Sequence, residues 1–231
     1  MAPVHRLLLF DVDGTLLSPG PGARAAFAGA LEEVFGTPGA TDTYAFEGKL
    51  DPFIVAELMR EAGVPDPVIA GGISRALALY ADRLESALAI QGPRLKPRVT
   101  ELLDRVAAAP SAVPALLTGN VERGARAKLS AAGLWHRFRF GVFGDEAPRR
   151  EELGPLALSR AREMTGISFD GRSSVVIGDS RQDIACGRAI GAWVVAVATG
   201  KTPAEELAAA GADVVLPDFS DLDAATEALL G

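Results

Sequence analysis

The chain has 231 residues, of which 48% are hydrophobic, enough for one large α/β domain or for a domain with a sizeable insertion. Its net charge of -7 argues against nucleic acid or an anionic membrane as a main partner, and no apolar run is long enough to span a bilayer. The N-terminus lacks a signal-peptide apolar region, so we expect a cytoplasmic protein. Its single cysteine, Cys186, excludes internal disulfides and any multi-cysteine zinc site.

The first predicted element is a strand over residues 6–10, because R-L-L-L-F is a short apolar run typical of a strand buried on both faces. A breaker cluster, S-P-G-P-G, follows at residues 18–22. Helices are predicted over residues 23–35 and 51–63 and in a further region that extends to about residue 90, with no convincing strand among them. Asp51 is the expected N-cap of the second helix, with Pro52 at its first helical position. We therefore predict a separate helical domain over residues 20–92, inserted after the first strand.

Helices and strands alternate in the rest of the chain. Strands are predicted over residues 113–117, 138–143, 174–177, 193–198 and 213–216. Helices are predicted over residues 98–109, 121–132, 153–165, 184–190, 203–210 and 222–229. This alternation predicts an α/β fold with a doubly wound parallel sheet, formed by residues 1–19 and 93–231.

Two carboxylates, Asp11 and Asp13, directly follow the first strand. Side chains two residues apart in an extended chain share a face, so both could leave the carboxyl end of the strand together, where open α/β sheets bind ligands. Two acids this close repel each other, so we expect a metal cation or a shared proton between them.

Two later strands end in polar residues. Thr118, Gly119 and Asn120 precede a predicted helix and could bind a phosphate there, although all three are also ordinary capping residues. The other strand ends in G-D-S-R-Q-D at residues 178–183, where Asp179 adds a third carboxylate that would suit Mg²⁺. Alternatively, Asp179 or Asp183 could be a helix N-cap.

These segments together resemble motifs of the haloacid dehalogenase (HAD) superfamily. D-V-D-G-T-L at residues 11–16 is similar to the first motif, Thr118 in L-L-T-G-N to the second, and G-D-S-R-Q-D to the fourth. Their order and spacing also match, and the helical insertion resembles the cap that members carry after the first motif. The resemblance covers essentially the whole chain and implies an HAD-like Rossmannoid core.

The resemblance further implies a Mg²⁺-dependent phosphatase that acts on a small phosphorylated metabolite. Asp11 would attack phosphorus and form an aspartyl-phosphate, while Asp13 would protonate the leaving oxygen and then activate water. Mg²⁺ would be held by Asp11, the main-chain carbonyl of Asp13 and Asp179. Thr118 would hydrogen-bond the phosphate, with Gly119 and Asn120 beside it.

One motif departs from the family. Its third motif usually supplies a lysine, yet no lysine occurs between Lys128 and Lys201. The segment at residues 144–153 resembles a variant in which an arginine precedes an acid-Leu helix start, which makes Arg150 the expected cation, oriented by Asp183. Arg149 is the alternative, or both arginines are solvated loop charges.

The substrate is left open by these patterns, as is the oligomeric state. E-G-K-L-D-P at residues 47–52 resembles a segment of phosphoglycolate-phosphatase-like members, in which Lys49 could reach a second anionic group of the substrate or be a surface charge. An acid at Asp13 favours phosphate esters over dehalogenation or phosphonate hydrolysis. A sugar phosphomutase and a non-catalytic phospho-acceptor or scaffold are the alternatives.

Overall fold

The computed structural model describes residues 5–231. The strands are β1 (Arg6–Phe10), β2 (Leu17–Ser18), β3 (Arg94–Leu95), β4 (Ala112–Leu117), β5 (Gly141–Val142), β6 (Ser174–Gly178), β7 (Trp193–Val197) and β8 (Val214–Leu216). The helices are α1 (Pro21–Phe35), α2 (Asp51–Glu61), α3 (Asp66–Ile90), α4 (Val99–Ala108), α5 (Glu122–Ala131), α6 (Leu153–Thr165), α7 (Arg181–Ala189), α8 (Ala204–Ala209) and α9 (Leu222–Leu230).

Six strands form one parallel sheet in the order β5-β4-β1-β6-β7-β8. The apolar run of β1 lies near its centre, and Leu8 and Phe10 pack on one face against α4, α5 and α9. Leu7 and Leu9 pack on the other face, against α6 and the buried Cys186 of α7. Helices thus cover both faces, which confirms the predicted doubly wound α/β fold.

Helices α1, α2 and α3 form the helical insertion, with an apolar core of their own that includes Phe27, Leu58 and Leu84. Helix α3 runs unbroken past its two glycines. One of them, Gly72, leaves room for the Phe35 ring, since a Cβ there would lie 2.4 Å from a ring carbon. The short strands β2 and β3 pair antiparallel at the two links between insertion and sheet. The domain limits at residues 19/20 and 92/93 stay a prediction.

The strand predicted over residues 138–143 is too long. Only β5 has strand geometry, because the chain before it forms a 3-10 turn at Trp135–Arg137 and Phe138 packs its ring edge-on against Phe10, 5.8 Å between centroids. In the described range 5–231, no helix combines the length and the apolar character needed to cross a membrane.

Candidate active site

Three buried carboxyl groups meet at the carboxyl ends of β1 and β6. Oxygens of Asp11, Asp179 and Asp183 all lie within 4.8 Å of one another. Burial raises the pKa of Asp11 to about 7 and that of Asp179 to about 8, and repulsion between the acids adds to both shifts. This crowding of like charges would be relieved by a cation.

The surroundings of Asp179 suit an oxygen-binding metal ion. Thr15 donates a hydrogen bond of 2.9 Å to Asp179 Oδ1, which fixes the carboxylate. Gly14 and Gly200 leave space for the Asp179 carboxylate. A Cβ would lie 2.3 Å from Asp179 Oδ2 at position 14 and 1.7 Å from it at position 200. Three oxygen donors without nitrogen or sulfur fit a hard divalent cation, so the cluster could hold a metal ion.

Arg150 is the cation beside these carboxylates. Its side chain is only 6% exposed, and Nη2 donates to Asp11 Oδ1 at 3.1 Å and also to Asp183 Oδ1. Asp183 is held by the hydroxyl and the backbone N–H of Ser180, at 2.6 Å and 3.0 Å. Arg149 is exposed and pairs with Glu152. Of the two arginines, Arg150 alone reaches the site.

The carboxylate of Asp13 is not part of the three-carboxylate cluster and has partners of its own. Its Oδ2 accepts a hydrogen bond of 3.0 Å from Asn120 Nδ2 and contacts the ammonium of the buried Lys128. Burial alone would lower the pKa of Lys128, but Asp13, Tyr80 and Asp51 together raise it, so the ammonium stays charged. A metal-binding role for Asp13 through its main-chain carbonyl stays a prediction.

The loop after β4 carries the other predicted phosphate-binding residues. Thr118 Oγ1 accepts hydrogen bonds from the amide Nδ2 and the backbone N–H of Asn120, at 3.0 Å and 3.3 Å. Gly119 is required by close packing, because a Cβ there would lie 2.1 Å from the carbonyl oxygen of Lys49. The helical insertion therefore rests directly on this loop.

Asp51 joins the insertion to the same loop, and its predicted role as the N-cap of α2 is wrong. The N-cap is Leu50, while the Asp51 carboxylate accepts a hydrogen bond of 2.9 Å from the backbone N–H of Val121, the N-cap of α5. The Asp51 N–H donates to the carbonyl of Gly119 at 2.8 Å. A residue of the insertion thus caps a helix of the sheet domain.

A cavity of about 360 Å³ lies between the insertion and the edge of the sheet. Its lining includes Asp11, Asp13 and Asp179 together with six basic residues. These are Arg24, Lys49, Lys96, Lys128, Arg150 and Lys201. All the lysines of the chain therefore line one cavity, although most of its basic residues are arginines.

The partners of these cations differ. Lys49 is bonded to Glu57 at 2.6 Å and to the Tyr44 hydroxyl at 2.8 Å, so its charge is already compensated within the insertion. Within residues 5–231, Arg24 and Lys96 have no carboxylate partner and donate to main-chain carbonyls. Arg24, Lys96 and Lys128 were not predicted as site residues. The one sequence feature that could have singled out the two lysines is the rarity of lysine in this chain.

A family model described as haloacid dehalogenase-like hydrolase matches residues 8–188. The chain belongs to this family. Proteins similar to this chain include a phosphoglycolate phosphatase of Pseudomonas syringae pv. syringae (strain B728a), 28% identical over 94% of this chain and 78% of the relative. Another is the probable phosphatase IndB of Dickeya dadantii (strain 3937), 28% identical over 97% of this chain and 94% of the relative.

A solved structure of a hydrolase from Pseudomonas syringae has the same fold, with a TM-score of 0.72 and 23% identity over 98% of this chain and 100% of that one. The family match and the two named relatives confirm the prediction of a phosphatase of the haloacid dehalogenase-like family.

Proposed function

We propose that the protein is a Mg²⁺-dependent phosphatase that hydrolyses a small phosphorylated metabolite through an aspartyl-phosphate on Asp11. The observation that carries this proposal is the position of Asp11, buried against Arg150 where the three-carboxylate cluster meets the cation-lined cavity. Mg²⁺, held by Asp11, Asp179 and the main-chain carbonyl of Asp13, would neutralise charge on the phosphate.

In the first step, a carboxylate oxygen of Asp11 attacks phosphorus while the bond to the leaving oxygen breaks, and Asp13 gives that oxygen a proton. In the second step, Asp13 takes a proton from water as the water attacks phosphorus and releases phosphate from Asp11. The positive charge of Arg150 reduces the repulsion between the Asp11 carboxylate and the phosphate. Thr118, whose hydroxyl oxygen already accepts from Asn120, has its own proton to donate to the phosphate.

We propose phosphoglycolate as the first substrate to test. Curated relatives are named phosphoglycolate phosphatases, and the cavity offers Arg24 and Lys96, two cations without carboxylate partners in the described part of the chain, to a second anionic group. Lys49 is a weaker candidate for this contact because Glu57 already pairs with it. The insertion, residues 20–92, would act as a cap over this cavity.

The test is a comparison of wild type with Asp11→Asn, assayed with Mg²⁺ against 4-nitrophenyl phosphate, phosphoglycolate and hexose phosphates. We expect wild type to release phosphate and to carry a hydroxylamine-sensitive phosphoryl group on the peptide that contains Asp11. Asp11→Asn should keep the circular dichroism spectrum and lose both signals. An Asp11→Asn variant that turns over at the wild-type rate would refute the assignment of the nucleophile.

A further inference from the structure

Lys128 is a buried cation that the phosphatase mechanism above does not use. Its side chain is 3% exposed, in α5, and its ammonium contacts both Asp13 Oδ2 and Asn120 Oδ1. Side chains of a helix lean towards its N-terminus, so Lys128 reaches back along α5 to the loop that carries Asn120. A buried ammonium needs such partners, because an unpaired charge in this position would be strongly destabilising.

The two oxygens of the Asp13 carboxylate have different surroundings. Oδ2 accepts from two donors, Asn120 Nδ2 at 3.0 Å and the Lys128 ammonium. Oδ1 is buried and has no hydrogen-bond partner within residues 5–231. The two donors therefore occupy Oδ2, and only Oδ1 lacks a partner among the described residues.

Lys128 also sets the orientation of the Asn120 amide. The amide carbonyl faces the ammonium, so the Nδ2 group is turned towards Asp13 Oδ2 and towards Thr118 Oγ1, 3.0 Å from each. The ammonium can only donate and the Asp13 carboxylate can only accept, so both contacts select the same orientation of the amide. Lys128 thus acts on Asp13 both directly and through Asn120.

We propose that Lys128 is a positioning residue that, with Asn120, fixes the Asp13 carboxylate so that Oδ1 exchanges the proton with the leaving oxygen and with water. This inference rests on the proposed acid-base role of Asp13. Lys128 keeps its own proton throughout: the proton moves from Asp13 Oδ1 to the leaving oxygen as the bond between phosphorus and that oxygen breaks. The two catalytic carboxylates would then each have a separate buried cation, Arg150 for Asp11 and Lys128 for Asp13.

The test uses two esters that differ in their need for a proton: 2,4-dinitrophenyl phosphate, whose leaving group departs as a stable anion, and phenyl phosphate, whose leaving oxygen needs protonation. Lys128→Met keeps the aliphatic stem and removes the charge. We expect it to lower kcat/KM for phenyl phosphate by on the order of tenfold or more, with a much smaller loss for the dinitrophenyl ester. Asp13→Asn should show the same dependence on leaving group, and adding Lys128→Met to it should cost nothing further.

Arg126→Met is the matched control, because it removes an exposed cation from the same helix and should leave both rates unchanged. Lys128→Arg should recover part of the phenyl phosphate rate. If Lys128→Met does not fold, Lys128→Arg and Asn120→Ala carry the same test, since Asn120→Ala removes the other donor to Asp13 Oδ2.

Equal losses for both esters would overturn the inference, because a substrate-binding or purely structural lysine predicts that result. Unchanged rates in Lys128→Met would overturn it as well. Both results require a wild-type enzyme that hydrolyses the two esters, so they leave the proposed function standing. A wild type that hydrolyses no phosphate ester would overturn the proposed function and this inference together.

Discussion

Replacing Arg150 with alanine removes the guanidinium that lies between Asp11 and Asp183. The distance of 3.1 Å from Nη2 to Asp11 Oδ1 corresponds to a Coulomb attraction of about 5 kcal/mol at an effective dielectric constant of about 20. The side chains of Arg150 and Asp11 are only 6% and 8% exposed, so bulk water screens this attraction little. Breaking a buried pair by removing one partner typically costs about 3–5 kcal/mol, and we expect Arg150→Ala to lose stability on this scale.

We expect Arg150→Ala to lower the rate of hydrolysis as well. Loss of a main electrostatic contact to the transition state lowers the rate by about a hundredfold to a thousandfold. Arg150→Lys should recover only part of this loss, since a point charge replaces a planar fork that reaches two carboxylates. The measurements are urea unfolding and steady-state kinetics with an aryl phosphate and Mg²⁺.

Arg149→Ala is the matched control, because this arginine is 75% exposed and its contact with Glu152 lies on the surface. We expect little change in stability or kcat/KM. If Arg149→Ala were the inactive variant, or if Arg150→Ala kept the wild-type kcat/KM, Arg150 would not be the cation that replaces the lysine of the third motif.

Three further outcomes are expected. Asp13→Ala should slow hydrolysis by on the order of a hundredfold, least for esters with good leaving groups, and equal losses across leaving groups would count against its acid role. Burial raises the pKa of Asp51 to about 6 in the folded protein, above its ordinary value. The protonated carboxyl therefore adds to the free energy of unfolding at low pH, and this contribution is lost as the pH rises through about 6. Asp51→Asn keeps an acceptor for the Val121 N–H and cannot ionise, so its urea midpoint should fall less than that of wild type between pH values of about 5 and 7; parallel profiles would contradict this. The insertion should move: small-angle scattering with Mg²⁺ and a phosphate mimic should report a more compact particle, and identical profiles would argue against closure.

The features that could be predicted from sequence are those in which neighbouring residues decide the outcome. The apolar run of β1 and the acids after it are adjacent in the chain, so the strand and the position of Asp11 followed from local pattern. Arg150 followed from the absence of a lysine in one interval, together with the resemblance to a family variant. Its contact with Asp11 is now visible, while its role in catalysis stays a prediction.

The features that could not be predicted depend on packing between distant segments. Lys128 contacts Asp13 across 115 positions of sequence, and only the placement of α5 on the sheet brings them together. Asp51 has the local pattern of an N-cap, with Pro52 after it, yet the backbone N–H of Val121 is the donor that its carboxylate meets. Local propensity described the segment correctly as a helix start and gave no information about this partner.

The contact between Lys49 and Gly119 restricts the amino acids allowed at position 119 far more than those allowed at position 49. The insertion meets the loop through the carbonyl of Lys49, an atom that every amino acid has, whereas any side chain at position 119 would collide with it. The side chain at position 49, which lines the cavity, can therefore change without disturbing this contact between the insertion and the loop. Position 119 has no such freedom, so we expect substrate preference in this architecture to diversify from the insertion side of the contact.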